Sequence, residues 1–153
     1  MPFTIRLAEP SDVPAMAFIR AQRWESEPYW QNRISRYLTG EHSPQQALAS
    51  RTAFVAIDRE QIVGFIAGHL TRRYQCDAEL EWIDTLHQHR RRGIAGALLK
   101  AMAAWFEQQN ALKVCVDVDP ANTVARAFYT RHGAKPLNPH WMFWDDIRRI
   151  GSA

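Results

Sequence analysis

No apolar run in this chain approaches the length of a membrane-spanning helix. The N-terminus also lacks the basic, apolar and small-residue succession of a secretory signal. Both absences favour a cytoplasmic protein with no membrane partner. Cysteine is scarce: Cys76 and Cys115 are the only two. Two isolated thiols without a signal peptide are expected to stay reduced, and Cys115 falls inside a strand-like run, a poor place for a nucleophile. A one-sided charge is missing as well. Nineteen Lys and Arg stand against sixteen Asp and Glu, a net charge of +3. Outside Arg90–Arg92 the basic residues are scattered, so bulk charge gives no argument for nucleic acid. No Gly-Lys-Ser/Thr follows any glycine, which excludes a P-loop. Repeats, linkers and low-complexity segments are absent too, so 153 residues read as a single domain over 1–153.

What is present is a concentrated motif, Arg90-Arg91-Arg92-Gly93-Ile94-Ala95-Gly96. It follows an apolar run and opens an amphipathic helix. Small residues let a ligand approach the backbone. The first N–H groups of the helix have no partner within it, and the helix dipole favours negative charge there. The arginines add charge-assisted hydrogen bonds. The arrangement suits a pyrophosphate-bearing cofactor. A dinucleotide fold would need this turn in the first βαβ unit and an acidic residue after the next strand, and the chain supplies neither.

Around the motif the pattern alternates between strand and helix. Phe3–Leu7 reads as a strand, and Glu9-Pro10-Ser11-Asp12 as a helix start leading into 13–20. Trp30–Leu38 reads as a helix closed by Gly40, and 43–49 as a short helix behind Ser43-Pro44. Ala53–Ile57 and Ile62–Leu70 flank a polar turn and predict an antiparallel hairpin. A fourth strand is expected over Glu79–Leu86. A helix follows over Gly93–Gln109, burying Ile94, Leu98, Ala101 and Trp105. Leu112–Asp119 alternates as a fifth strand, Asn122–His132 forms a helix ended by Gly133, and Trp141–Trp144 reads as a last strand. This order implies an α/β (α+β) fold with a mixed sheet.

With the motif placed at a strand-to-helix junction, the chain resembles the GNAT superfamily of acetyl-CoA-dependent N-acetyltransferases. The family signature Gln/Arg-x-x-Gly-x-Gly/Ala is matched by Arg90, Gly93 and Ala95. A second signature, an Asn followed by Ala and an aromatic-Tyr pair on a helix ending in Gly, is matched by Asn122, Ala125, Phe128, Tyr129 and Gly133. Thr85 stands where the family often has Val. The resemblance implies a GNAT fold: a central, mixed, mostly antiparallel sheet, splayed between the fourth and fifth strands and flanked by helices. It implies acetyl-CoA as co-substrate, its pantetheine arm lying in the splay. Ile83, Asp84 and Thr85 form the strand segment beside that arm, with backbone groups of Ile83 and Thr85 left for its amides. The diphosphate is expected on the N–H groups of Arg91, Arg92, Gly93, Ile94, Ala95 and Gly96, with Arg90 beside them. Asn122 is a helix cap that in the family also bonds the cofactor arm. Tyr129 matches the family's acid, which protonates the leaving thiolate, although aromatics at helical spacing are also ordinary core.

The expected reaction is direct acetyl transfer to a primary amine, small molecule or peptide, with no metal. Period-two alternation places Glu81 with Glu79, Ile83 and Thr85 on one strand face, and Asp84 on the other. Glu81 is flanked by apolar residues and is a candidate general base, set against a salt-bridged or surface carboxylate. Asp117 is the rival, since some protein N-terminal acetyltransferases of the family carry a catalytic acid there. His87 and His89 have metal-pair spacing but read as a solvated loop. Trp82 and Trp105 are expected in the core. Trp24, Trp30, Trp141 and Trp144 serve either an aromatic acceptor pocket, packing or a homodimer contact. Glu25, Glu27, Asp145 and Asp146 suit a cationic acceptor or plain solvation. A CoA-binding sensor without catalysis is the alternative function.

Overall fold

Gly64 and Gly68 determine how closely a helix can lie on this sheet. A Cβ at Gly64 would meet Ile94 Cγ2 at 3.1 Å and Leu98 Cδ1 at 3.2 Å; one at Gly68 would meet Phe106 Cζ at 2.9 Å and Met102 Sδ at 3.2 Å. The computed structural model describes residues 2–23 and 25–150. Its strands are β1 (Thr4–Leu7), β2 (Ala47–Asp58), β3 (Gln61–Thr71), β4 (Ala78–Thr85), β5 (Val114–Asp117), β6 (Lys135–Asn138) and β7 (Trp141–Trp144). Its helices are α1 (Val13–Ala21), α2 (Glu27–Thr39), α3 (Ile94–Gln108) and α4 (Thr123–Arg131).

The seven strands form one sheet in the order β1-β2-β3-β4-β5-β7-β6. All neighbours run antiparallel except β4 and β5, which are parallel. Side chains alternate along β3. Gly64 and Gly68 face α3, while His69 on the other face meets Tyr37 of α2. α3 therefore covers one face, and α1 and α2 the other. Buried Met16, Ile19, Ile34, Phe65 and Trp82 belong to the same core as Leu98, Met102 and Phe106. Cys76 and Cys115 are both free and buried. No helix among the described residues is long and apolar enough to cross a membrane.

Several expected boundaries move, each for a local reason. α2 begins at Glu27, not Trp30, because Ser26 caps it by accepting from Tyr29 N–H at 3.2 Å and Pro28 suits the first turn. Gly40 ends it at φ +87°, as expected of a C′ glycine. The helix expected over 43–49 is absent; β2 starts at Ala47 instead. Arg51 gathers the carbonyls of Tyr37, His42 and Leu48 and the Ser43 hydroxyl, which holds this segment open. The hairpin between β2 and β3 turns on Arg59 and Glu60, both at positive φ as its two-residue turn requires.

β5 spans only Val114–Asp117, because Asp77 Oδ2 accepts from Leu112 and Lys113 N–H at 3.1 and 3.0 Å before the strand begins. The burial stripe of α3 runs through Ile94, Leu98, Leu99, Met102, Ala103 and Phe106, so Ala101 and Trp105 are only half-buried. The unexpected strand β6 carries Pro136, which cannot donate to a ladder, and it lies at the sheet edge where proline is tolerated.

Gly68→Val should force Phe106 and Met102 away from the sheet and cost about 1–3 kcal/mol, the usual range for overpacking. Urea unfolding of variant and parent measures it. A parent-like midpoint would mean that α3 does not need this close approach.

Candidate active site

β4 is held on both sides only along its first half. Ala78, Glu79 and Leu80 pair with Val114, Cys115 and Val116 of β5, and there the parallel ladder stops. β3 continues beside β4 to Thr85. Leu86 N–H donates to Val63 O at 2.8 Å, so by antiparallel alternation the groups of Asp84 also face β3. Those of Ile83 and Thr85 then face the gap left by β5. Thr85 N–H is not wholly open, since it donates to its neighbour Asp84 Oδ1 at 3.0 Å. Ile83 N–H and the carbonyls of Ile83 and Thr85 complete this polar edge.

A bulge interrupts β4 at Glu81. Leu80 lies opposite Gly68 and Trp82 opposite Ala67, so Glu81 has no partner on β3. This corrects the strict alternation expected from the sequence. Glu79 lies opposite His69, Glu81 Oε1 lies 4.0 Å from His69 Nδ1, and Trp82 packs on Trp30 and Tyr37. Glu79, Glu81 and Asp84 thus share the face covered by α1 and α2. Ile83 and Thr85, opposite Ile66 and Gly64, face α3.

Three carboxylates crowd this face, and two are balanced by arginine. Asp84 lies 3.6 Å from Arg20 Nη1 and 3.3 Å from Arg23 Nε. Glu79 lies 3.1 Å from Arg73 Nε. Glu81 has no such arginine at contact distance among the described residues, and its side chain is 13% exposed. Burial raises its carboxyl above the usual range; Glu79 adds to this, while His69, Arg33 and Arg20 oppose it. Asp117, at the end of β5, is raised by partial burial first and by Glu79 second. It is more open than Glu81 and sits opposite Trp141.

Tyr129 is buried on α4. Its ring packs edge-on to Trp144 and Phe128. Burial pushes its phenol well up, Arg20 opposes this, and Asp84 and Asp117 add to it. It therefore stays protonated at neutral pH and can donate. Asn122 caps α4 with its side-chain oxygen, accepting from Ala125 N–H at 3.1 Å, which leaves its amide NH₂ outside the cap.

The loop before α3 is open. Arg90 and Arg91 are exposed. Arg91 and Gly93 have φ of +64° and +81°, and a Cβ built on Gly93 would meet nothing within 4 Å. The helix ladder starts with Ala97 N–H on Gly93 O, so the N–H groups of Ile94, Ala95 and Gly96 precede it. Open space, left-handed backbone and a helix N-terminus fit a diphosphate. The Arg92 guanidinium bonds Asp58 at 2.9 Å and His89 at 2.6 Å, tying the loop to the β2–β3 hairpin. His87 is exposed and does not join His89 in a cluster.

Of the tryptophans expected near the acceptor, Trp30 and Trp144 are core. Trp144 Nε1 donates to His132 O at 2.9 Å. Trp141 is half-buried under Arg73 and beside Tyr74. Trp24 lies outside the described residues. Asp145 and Asp146 are paired with Lys135 and Arg148, which leaves no special role for them. Glu25 and Glu27 are exposed. Sequence reasoning missed His69, Tyr37 and Arg73. His69, Glu79 and Glu81 bring ligand-type atoms within 4.8 Å, the one such trio among the described residues. Tyr37 already holds His69 Nδ1 at 2.9 Å, and Arg73 holds Glu79. A histidine two residues before the end of a long strand gave no signal of its own.

The sequence model of the acetyltransferase (GNAT) family matches residues 16–134. The chain belongs to this family and is an acetyltransferase. No curated protein matches it in sequence. Solved structures share the fold. The PaiA N-acetyltransferase of Thermoplasma acidophilum, determined with coenzyme A, superposes with a TM-score of 0.71 at 16% identity, over 94% of this chain and 98% of that one. The ribosomal-protein-S18-alanine N-acetyltransferase of Escherichia coli gives 0.66 at 19% identity, over 94% and 93%. Aminoglycoside 6'-acetyltransferase type Ii gives 0.69 at 17% identity, over 94% and 97%.

Because burial raises the Glu81 carboxyl in the folded chain, the ionised form disfavours folding. That penalty is absent below the unfolded carboxyl range near 4.3 and grows as pH rises through the folded value. Glu81→Gln should therefore be more stable than the parent at neutral pH, with the difference closing below about pH 4. Thermal melts across pH test this. A variant destabilised at neutral pH would show that Glu81 is an ordinary ion-pair carboxylate.

Proposed function

We propose that the chain moves an acetyl group from acetyl-CoA to a primary amine by direct attack in the gap between β4 and β5. The observation that carries this reading is the unpaired β4 edge at Ile83–Thr85, with Glu81 two residues before it and the Tyr129 phenol near enough to Asp84 and Asp117 to feel their charge. The N–H groups from Arg91 to Gly96 would hold the diphosphate, with the Arg90 and Arg91 side chains adding charge. The edge groups of Ile83 and Thr85 and the Asn122 amide would hold the pantetheine arm. Two parts of the expected binding set take other duties. Arg92 anchors the loop through Asp58, and Asp84 contributes its carboxylate to Arg20, Arg23 and Thr85 N–H.

An alkylammonium with a pKa near 10 is not nucleophilic, so a base must take its proton. Of the three β4 carboxylates Glu81 is the one without an arginine at contact distance among the described residues, and burial makes it a stronger base than a solvated one. The amine nitrogen forms the new C–N bond at the thioester carbonyl. Ile83 N–H stabilises the oxygen as charge develops there. The C–S bond breaks as Tyr129 gives its proton to the departing sulfur, and the second proton of the former amine nitrogen passes to the Tyr129 phenolate and restores it. No covalent enzyme intermediate is needed. Glu79, Glu81 and Asp117 on one face, with Trp141 and Tyr74 beside them, suit a cationic acceptor, whether a small amine or a peptide.

General acid or base catalysis is typically worth about 10²–10⁴-fold. Glu81→Gln and Tyr129→Phe should each lower kcat by at least about tenfold, with CoA affinity by calorimetry little changed. Arg90→Ala and Arg91→Ala should instead weaken CoA binding by about tenfold each, in line with loss of one charge-assisted bond. If Asp117→Asn costs more turnover than Glu81→Gln, the base is Asp117. Equal turnover of Tyr129→Phe and parent under chemistry-limited conditions would make Tyr129 a packing residue.

A further inference from the structure

α2 carries a cluster of positive charge that the chemistry above does not use. Tyr29, Asn32, Arg33 and Arg36 recur about one turn apart along one flank of the helix, and with Pro28 and His42 they line an open cleft of about 490 Å³. Arg33 is half-buried, yet it makes no hydrogen bond, ion pair or ring contact among the described residues. Arg20, Arg73 and Arg92 are half-buried too, and each holds a carboxylate. Arg36 is exposed and pairs with Glu41 at 3.4 Å, an open pair of little worth that a ligand can displace. Burial first, then Arg33, Arg36 and Arg51, hold the His42 imidazole below its ordinary value. A partly desolvated arginine without an anion is unfavourable unless a ligand supplies one.

The cleft adjoins the site. Trp30 and Tyr37 of α2 pack on Trp82, the neighbour of Glu81 on β4. Arg33 lies about one turn from each, lines the cleft, and is near enough to Glu81 for its charge to be felt there. We propose that the cleft takes the far end of the acceptor: Arg33 and Arg36 hold a carboxylate carried by the molecule whose amine is acetylated beside Glu81. The inference rests on the acetyl-transfer reading of the β4–β5 gap and names the acceptor class, a primary amine that bears a carboxylate, whether a free amino acid or an acidic peptide. Each end of such a molecule meets opposite charge. Its ammonium faces Glu79, Glu81 and Asp117, and its carboxylate faces two arginines. Arginine suits the second task, since its fork of donors matches two carboxylate oxygens and its charge persists at every working pH. Tyr29, 42% exposed and edge-on to Trp30, gives the cleft an apolar wall.

The test compares kcat/KM for amines matched except for one carboxylate. One arm is a series of ω-amino acids of increasing length, each against its own amide. The other is an alanyl-glutamyl peptide amide against the alanyl-glutaminyl one. The acid should be preferred over its amide by about tenfold in at least one pair, the worth of one charge-assisted bond, and the preference should shrink with added salt. The arm that shows it tells a free amino acid from a peptide. The preference should nearly vanish in Arg33→Gln and return in part in Arg33→Lys. Comparison within a pair cancels whatever Arg33 does to Glu81, since both amines meet the same base. Glu41→Gln, which releases Arg36, should instead widen the preference, and KM for acetyl-CoA should hold throughout. An acid-to-amide ratio near one in every pair overturns the inference, as does a ratio that survives Arg33→Gln unchanged. Where Arg33→Gln fails to fold, Glu41→Gln decides, and a ratio no wider than the parent's overturns the inference. The two readings fail separately. Absence of acetyl transfer to any amine removes the β4–β5 reading, whereas transfer to amides as fast as to acids removes only the role of the cleft.

Discussion

The constraint on which the rest of this molecule depends is the early end of the parallel ladder between β4 and β5. Three residue pairs hold the strands together, and then they part. A sheet interrupted in its middle exposes backbone donors and acceptors that would otherwise be unfavourable to leave unpaired. The surrounding structure compensates on both sides. α3 lies close over β3 because Gly64 and Gly68 lack side chains. Asp84 draws Arg20 of α1, and Arg23 just beyond its end, onto β4 and accepts Thr85 N–H. Tyr129 of α4 packs edge-on to Trp144 of β7. The interruption is thus rigidly framed, as a site that must present groups to a ligand requires.

The second organising effect is how charge is distributed along one face of β4. Glu79 and Asp84 are each balanced by arginine, and each ties a separate element to the strand. Glu81 is different because the bulge turns it into the same face without a cation at contact distance. A buried carboxylate in that condition disfavours the folded state when it is ionised. Such a cost is the common mark of groups retained for chemistry, and here it coincides with the open strand edge.

Much of the frame was legible from local chemistry. The β2–β3 hairpin, α3, α4 and β7 follow from periodicity and from glycines at helix ends. The open, glycine-bearing loop follows from the types and order of residues 90–96, and the place of Tyr129 on α4 from its spacing behind the helix cap. Signals of this kind act over a few residues, where backbone preference and side-chain period decide the outcome.

The sequence by itself determined most of the helices and strands, the glycine-bearing loop before α3, and the family to which the chain belongs. Tertiary structure decided the rest. Period-two reasoning put Glu81 with Ile83 and Thr85, but one unpaired residue at the bulge moved it to the face of Asp84. Arg92 read as a phosphate ligand until Asp58, from a distant hairpin, claimed it. Residues 43–49 carried a helix signal that Arg51 overrode by collecting the Leu48 and Ala49 carbonyls and the Ser43 hydroxyl. His69 had no motif at all; only strand register brought it to Glu79 and Glu81. In each case the deciding partner is far along the chain, and local periodicity carries no information about which distant charge or strand will arrive.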